Sequence, residues 1–366
     1  VSPWKAWKNG PSKRTDYFPI AVWLQDPRNA KAYKAIGINL YIGLWKGPTS
    51  AQLATLAKAG MPVMCEQNAV GLKDKNNKQI VAWTQVDEPD NAQPIKGKGY
   101  GPPIPPGDIQ GRYKEMREKD KTRPIFLNFG QGIANEQYIG RGTRTGKLED
   151  YPQYAKGADI LSFDIYPITS KYPLVSGKLE YVARGVERLL KAVKNKKPTF
   201  TWIECTHIKN PKVKPSPAQV RSLVWIAIIS GVKGIGYFAH EWKPRFREDA
   251  MLRDKVMSAA IGNINKRVAS LAKVLNSPPK KNGGTLKPSN KKAKMKWTVR
   301  QLGSKLYLFA ANLSATPSKV SLYLRGLRGT KSARVLDENR KLPFRFGRAS
   351  DQFGPYEVHL YEIQYP

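Results

Sequence analysis

Cysteine and histidine are nearly missing from this chain of 366 residues, which has two cysteines (Cys65 and Cys205) and three histidines (His207, His240 and His359). Two cysteines build no disulfide framework, and these two fall near the ends of strand-like runs far apart in order, so free thiols are expected. That usage leaves the redox compartment open. Three scattered histidines are too few for the usual His-rich metal-hydrolase sites. No run of about 18 apolar residues occurs, which excludes a transmembrane helix of the ordinary kind. Zinc-finger, RRM and Walker patterns are absent, as is a GxGxxG turn after the first strand-like run. Acids are scarce too: 28 Asp and Glu stand against 63 Lys and Arg, a net charge of +35.

Such a charge has two readings. It either keeps the chain soluble in a generally basic setting or answers an anionic partner, such as an acidic polysaccharide, a charged surface or a nucleic acid. The basic residues are spread along the whole chain. Their densest cluster, Lys273 to Lys296, reads as a loop or linker and not as a nucleic-acid reading helix, so no specific nucleic-acid partner is expected.

What the chain does have is alternation. Short β-branched and aromatic runs fall at 20–26, 39–45, 62–68, 80–88, 124–130, 159–167, 198–205 and 233–242. Their near-continuous apolarity suits strands buried on both faces. Between them lie helical patterns with stop and start signals. AQLATLAKAG ends on Gly60 with Pro62 following, and SPAQVRSLVWIAIISGVKG opens on Ser216-Pro217 and closes on Gly231. Eight strands alternating with helices predict an α/β fold, a (β/α)8 TIM barrel over residues 1–276. Residues 277–296, rich in Pro, Lys, Gly and Asn, read as a basic linker-like stretch. Short alternating runs over 297–366 read as a small antiparallel β-sandwich.

In a barrel, chemistry sits at the C-terminal ends of the strands. Those ends carry Gln25-Asp26, Trp45-Lys46, Glu66, Asp87-Glu88, Asn128, Asp164 and Tyr166, Glu204, and His240-Glu241-Trp242. Carboxylates, amides and aromatic rings thus converge on one face, while the strand interiors hold almost no charge. Packing alone does not call for so many acids in one mouth. A protonated and an ionised carboxyl group facing one bond are the equipment of glycoside hydrolysis.

These residues carry a resemblance. The chain resembles the clan A glycoside hydrolases, retaining (β/α)8 enzymes with an acid/base Glu at the end of strand four, typically in Asn-Glu-Pro, and a nucleophile Glu at the end of strand seven. Here the first motif reads Asp87-Glu88-Pro89 and the second Trp202-Ile203-Glu204. The resemblance implies Glu88 as acid/base and Glu204 as nucleophile. It also implies Tyr166 beside the nucleophile, Trp242 as the floor of the sugar site, and a C-terminal accessory β-domain. Asp87 replaces the usual Asn; it accepts a hydrogen bond but donates none, and its charge would raise the pKa of Glu88.

The expected function is therefore a retaining glycoside hydrolase cleaving β-linked poly- or oligosaccharide by double displacement, with no metal or organic cofactor. Asp87, Trp45, Glu66, Asn128, Asp164, Tyr166, Glu241 and Trp242 are the expected substrate contacts. The long Pro/Gly-rich loop from Asn91 to Asp108 would form a wall or lid, with Tyr100 as its sugar contact. The alternatives are a non-catalytic carbohydrate-binding barrel and a basic protein that binds anionic polymers. Secretion is the expectation from the substrate class and from a sequence that opens on Val1.

Overall fold

The computed structural model describes residues 2–74 and 76–365. Eight parallel strands form the first sheet: β1 Ile20–Trp23, β2 Leu40–Ile42, β3 Val63–Glu66, β4 Ile80–Thr84, β5 Ile125–Phe129, β6 Ile160–Phe163, β7 Phe200–Glu204 and β8 Gly234–Phe238. Neighbours run β6-β5-β4-β3-β2-β1-β8-β7, and a parallel bridge between Leu161 and Thr199 joins β6 to β7, so the sheet closes on itself. This is the expected (β/α)8 barrel.

Period-two alternation assigns the inner face. Ala21, Leu40, Ile42, Met64, Phe126, Ile160, Phe200 and Trp202 pack together inside the barrel, and Trp4 is packed against Phe200 at 6.0 Å between ring centroids. Two residues further up their strands, the same parity brings Asn128, Ser162 and then Asp164 onto the axis. Gly236 on β8 makes room for the Trp202 indole, since a Cβ there would stand 2.3 Å from it. The lower barrel is thus filled by hydrocarbon, and the polar residues fall at its mouth.

The helices start and stop where their caps dictate. Thr49 and Ser216 each form a reciprocal capping box, with Gln52 and Gln219 respectively, and Gly60 and Gly231 close the two helices at φ 60° and 119°. The Pro217–Ser230 helix is buried along nearly all its length because it lies between the barrel and the second domain. Both cysteines are buried free thiols. Among the described residues no helix is long and apolar enough to cross a membrane.

The second sheet is antiparallel: β9 Gly284–Pro288, β10 Met295–Leu302, β11 Lys305–Asn312, β12 Ser318–Leu324, β13 Thr330–Val335, β14 Arg340–Arg345, β15 Arg348–Phe353 and β16 Val358–Gln364. Its order is β9-β12-β15-β14-β13-β16-β11-β10. A single pairing, Arg345 with Arg348, links β14 to β15, so the sheet bends there and folds over an apolar core of Leu286, Val299, Leu322, Phe344 and their neighbours. The stretch 277–296, expected as a linker, contains β9 and the start of β10. Its lysines alternate with Leu286 and other inward side chains, and a charge-rich composition hid that strand.

Candidate active site

A recess of about 460 Å³ opens at the C-terminal end of the barrel. One wall is acidic. Asp87 and Glu88 follow β4 and Asp164 follows β6, with Asn128 of β5 between them. The other wall, from β7, β8 and β1, presents Trp23, Trp202, Ile208, Lys209, Phe238, His240 and Trp242. A larger cleft of about 650 Å³ lies elsewhere, against Arg221, Trp225, Arg267 and Asp337, and gathers no comparable chemistry.

Asn128 is the hub of the acidic wall. Its Nδ2 donates to Asp87 Oδ1 at 3.0 Å and to Asp164 Oδ1 at 3.4 Å. Its Oδ1 accepts from Ser162 Oγ at 2.6 Å and from Trp202 Nε1 at 3.0 Å. Two donors on one side and two acceptor contacts on the other fix the amide's orientation, and with it the spacing of the two aspartates.

Glu88 is held in an uncommon backbone state, φ +44°. Its N–H donates to Asn128 O at 3.0 Å, and its carbonyl accepts from Asn91 N at 3.1 Å. Asn91 Nδ2 also donates to Glu88 Oε2 at 2.8 Å. Leu24 and Ile208, which line the same recess, likewise have positive φ, at 46° and 51°. Such states cost of order 1–3 kcal/mol each and persist where the surroundings over-determine them, commonly at active sites.

The electrostatics follow from the crowding of acids. Glu88 and Asp164 are hydrogen-bonded to each other, and the negative charge of Asp164, then burial, push the Glu88 pKa far above the carboxylate range. Asp164 is pushed up as well, by burial first, while its hydrogen bond with Glu88 favours its ionised form. The pair therefore shares a proton, with Glu88 as the natural owner. Burial within the recess, before any other cause, raises Asp87 to about 7. Asp87 nevertheless keeps much of its surface toward the water-filled mouth, which tempers that push. Asp90 has a separate task. It is fully buried, accepts from Gly130 N at 2.9 Å and Tyr151 Oη at 2.9 Å, and anchors the turn that carries Glu88.

Of the expected site residues, the structure brings together Asp87, Glu88, Asn128, Asp164, Tyr166 and Trp242. Glu204 does not reach the recess. It is fully buried, and its oxygens accept from Ile168 N at 2.6 Å, Thr169 N at 2.9 Å and Thr169 Oγ1 at 2.7 Å, so it latches the loop after β6. Burial raises its pKa to about 7 against the pull of these three donors. Glu66 ends β3 exposed and outside the recess, and Trp45 is 69% exposed and outside it as well. Glu241 is buried in a neighbouring pocket with Thr206, His207 and Arg247. Tyr100 sits 77% exposed on a small hairpin, Pro94–Ile95 with Gly99–Tyr100, away from the recess.

Sequence reasoning did not single out Tyr138 and Lys209, both from loops after barrel strands, where no periodicity indicates direction. His240 was placed at a strand end without a role. In the structure it is 5% exposed, its Nδ1 lacks a partner among the described residues, and burial lowers its pKa to about 4, so the imidazole is neutral. It stacks on Trp242 at 5.6 Å, which in turn stacks on Phe238 at 5.6 Å.

A closed parallel barrel followed by an antiparallel β-domain is an arrangement with known counterparts. The fold is one that glycoside hydrolases use. The alpha-amylase of Geobacillus thermoleovorans, solved in complex with acarbose, matches with a TM-score of 0.54 and 12% identity over 96% of this chain and 98% of that one. A maltogenic alpha-amylase from Thermotoga neapolitana matches with a TM-score of 0.51 and 10% identity over 96% and 99%. The likeness therefore spans both domains. No protein-family model matches the sequence, and no curated protein matches it.

Proposed function

We propose that the chain is a glycoside hydrolase in which Glu88 is the general acid and Asp164 is the carboxylate that acts on the anomeric carbon. The observation that carries this reading is the Glu88–Asp164 pair: an acid kept protonated by an adjacent charge, in an aromatic-walled recess of about 460 Å³. The rings of Trp242 and Trp23 offer apolar faces to sugar C–H groups, and Asp87, which Asn128 holds in place, and neutral His240 offer polar atoms to hydroxyls.

The finer reading is double displacement at a β-linked bond, in keeping with the Asp-Glu-Pro motif. Glu88 gives its proton to the leaving oxygen as the C–O bond breaks. Asp164 closes on the anomeric carbon and forms a glycosyl ester. Glu88, now ionised, takes a proton from water, and that water releases the sugar and returns Asp164 to a carboxylate. Retention needs the two carboxyl groups about 5–5.5 Å apart, so the substrate must enter between groups that hydrogen-bond in the free site. Because Glu204 is committed to the loop after β6, we assign it a positioning role and not the nucleophile's.

Azide rescue tests the assignment on aryl α- and β-glycosides. Glu88→Ala is expected to yield a glycosyl azide of retained configuration, and Asp164→Gly one of inverted configuration, on the β-linked substrate only. Adducts in a Glu204→Gly variant and none with Asp164→Gly would return the nucleophile to Glu204. Turnover that survives Glu88→Gln would remove Glu88 as the acid, and no turnover by the unaltered protein on either aryl glycoside would leave a sugar-binding barrel as the better reading.

A further inference from the structure

The proton chemistry accounts for the acidic wall but not for the cations opposite it. Lys209 lines the recess with its Nζ 5.5 Å from the centre of the Trp242 ring, and among the described residues it has no acidic partner. Lys46 repeats the arrangement at the mouth, 5.9 Å over the exposed Trp45 ring. The loops after β2 (43–49) and β7 (205–216) contain lysine and not one Asp or Glu, and those after β4 and β6 carry lysine alone once past Asp90 and Asp164. Of these lysines, Lys214 is spent on Asp254, whereas Lys96, Lys98 and Lys212 have no acid partner among the described residues. Two of the outer helices differ, although Ser50–Ala59 and Lys255–Ser270 likewise carry bases and no acid. Pro106–Lys119 and Glu180–Ala192 interleave acids with their bases, and Arg188 pairs with Glu136. The excess of charge is therefore not uniform. Two of the eight mouth loops are purely basic, two more are basic beyond the acids at their start, and one cation without an acid partner among the described residues lines the recess on an aromatic ring.

We infer that the substrate is an anionic glycan, a polymer whose sugars carry carboxylate or sulfate groups, and that Lys209 reads the anion of the sugar seated on Trp242. This rests on the glycosidase reading of the same site. An ammonium above an indole is held at the edge of the apolar platform, where a sugar ring and its charged substituent would meet both at once. The ring of loop lysines would draw such a polymer toward the mouth and track it on either side. A nucleic acid would gain from the same field, but an indole platform beside an acid pair is equipment for a sugar ring and its glycosidic bond.

Binding to the inactive Glu88→Gln protein separates the two ideas. Affinity electrophoresis would compare hyaluronan with its carboxyl-reduced form, and carboxyl-reduced chondroitin sulfate with its desulfated product. The expected result is binding of the anionic member of at least one pair at least about tenfold tighter than its neutral partner. The pair that responds tells carboxylate from sulfate. Lys209→Met should weaken that binding about tenfold and flatten its salt dependence, and Lys209→Arg should restore most of it. Equal binding, or none, within both pairs would overturn the inference, as would an unaffected Lys209→Met. Single-stranded DNA that binds as tightly as the glycan and loses as much with Lys209→Met would also overturn it. If the anionic polymer binds but the unaltered enzyme cleaves neither it nor an aryl glycoside, the hydrolase reading fails while the anionic specificity stands. Cleavage of aryl glycosides with no anion preference has the opposite meaning.

Discussion

Glu88 shows how a strand end becomes an acid. Its backbone is pinned at positive φ by Asn128 and Asn91, and its carboxyl group is turned onto that of Asp164. A general acid works only while protonated, so activity falls as pH rises through its pKa. The charge of Asp164 is the first cause that raises that pKa, and an amide in its place carries no charge. Asp164→Asn is therefore expected to move the alkaline limb of the kcat/KM profile toward lower pH, on top of a loss of rate of about 10²–10⁴. An alkaline limb that stays in place would mean that Asp164 does not set the proton on Glu88. Asp90, two residues on, does not line the recess, and its charge adds only a lesser push to the pKa of Glu88. Asp90→Ala would leave the Tyr151 hydroxyl and the Gly130 N–H without their acceptor and should cost roughly 2–4 kcal/mol, read by denaturant titration.

The loop after β6 connects the chemistry to the scaffold. It runs from Asp164 through Tyr166, both facing the recess, to Ile168 and Thr169, which are fastened to Glu204 on β7. Three donors aimed at one carboxyl group suit an acceptor and no other group. Glu204→Gln puts an NH₂ against an N–H donor, so about 1–3 kcal/mol of stability should be lost. Rate should fall within about tenfold, with the pH limb unmoved, because the loop loosens while Glu88 keeps its proton partner. A loss as large as that of Asp164→Asn would indicate a direct role. This loop also marks the limit of what the sequence discloses. The eight strands, their caps and the acids at their ends were legible because periodicity fixes both the element and the parity of each side chain. Glu204 ends the seventh strand-like run, and that placed it at the mouth. Which loop then folds over it is decided by backbone donors 36 and 35 residues earlier in the chain, and no local pattern records that. Lys209 and Tyr138 escaped for the same reason, whereas Asp164, at the correct parity on β6, was visible from the start as a contact.

The barrel and the β-domain share one apolar core. Tyr307, Phe309, Ala311, Leu336, Val358 and Leu360 belong to the same buried cluster as the barrel's outer helices, and Trp225 meets Phe309 at 5.5 Å between ring centroids. Polar contacts follow the same seam: Arg267 grips Asp337 through Nε at 2.9 Å, Tyr356 Oη donates to Glu180 at 2.7 Å, and Arg221 donates to Val358 O at 2.9 Å. The Pro217–Ser230 helix is apolar on nearly every side because each side has a partner, and without the β-domain one face would be bare. Neither domain is then expected to unfold alone. Phe309→Ala removes a fully buried ring at the seam and should cost about 3–5 kcal/mol. Calorimetry of the full chain should show one transition in both proteins, displaced as a whole to lower temperature in the variant. Two resolved transitions, with only one displaced, would mean that the β-domain is an independent attachment. A single displaced transition would make it the cover that lets a helix this apolar stay in solution, and so part of what holds the barrel mouth in shape.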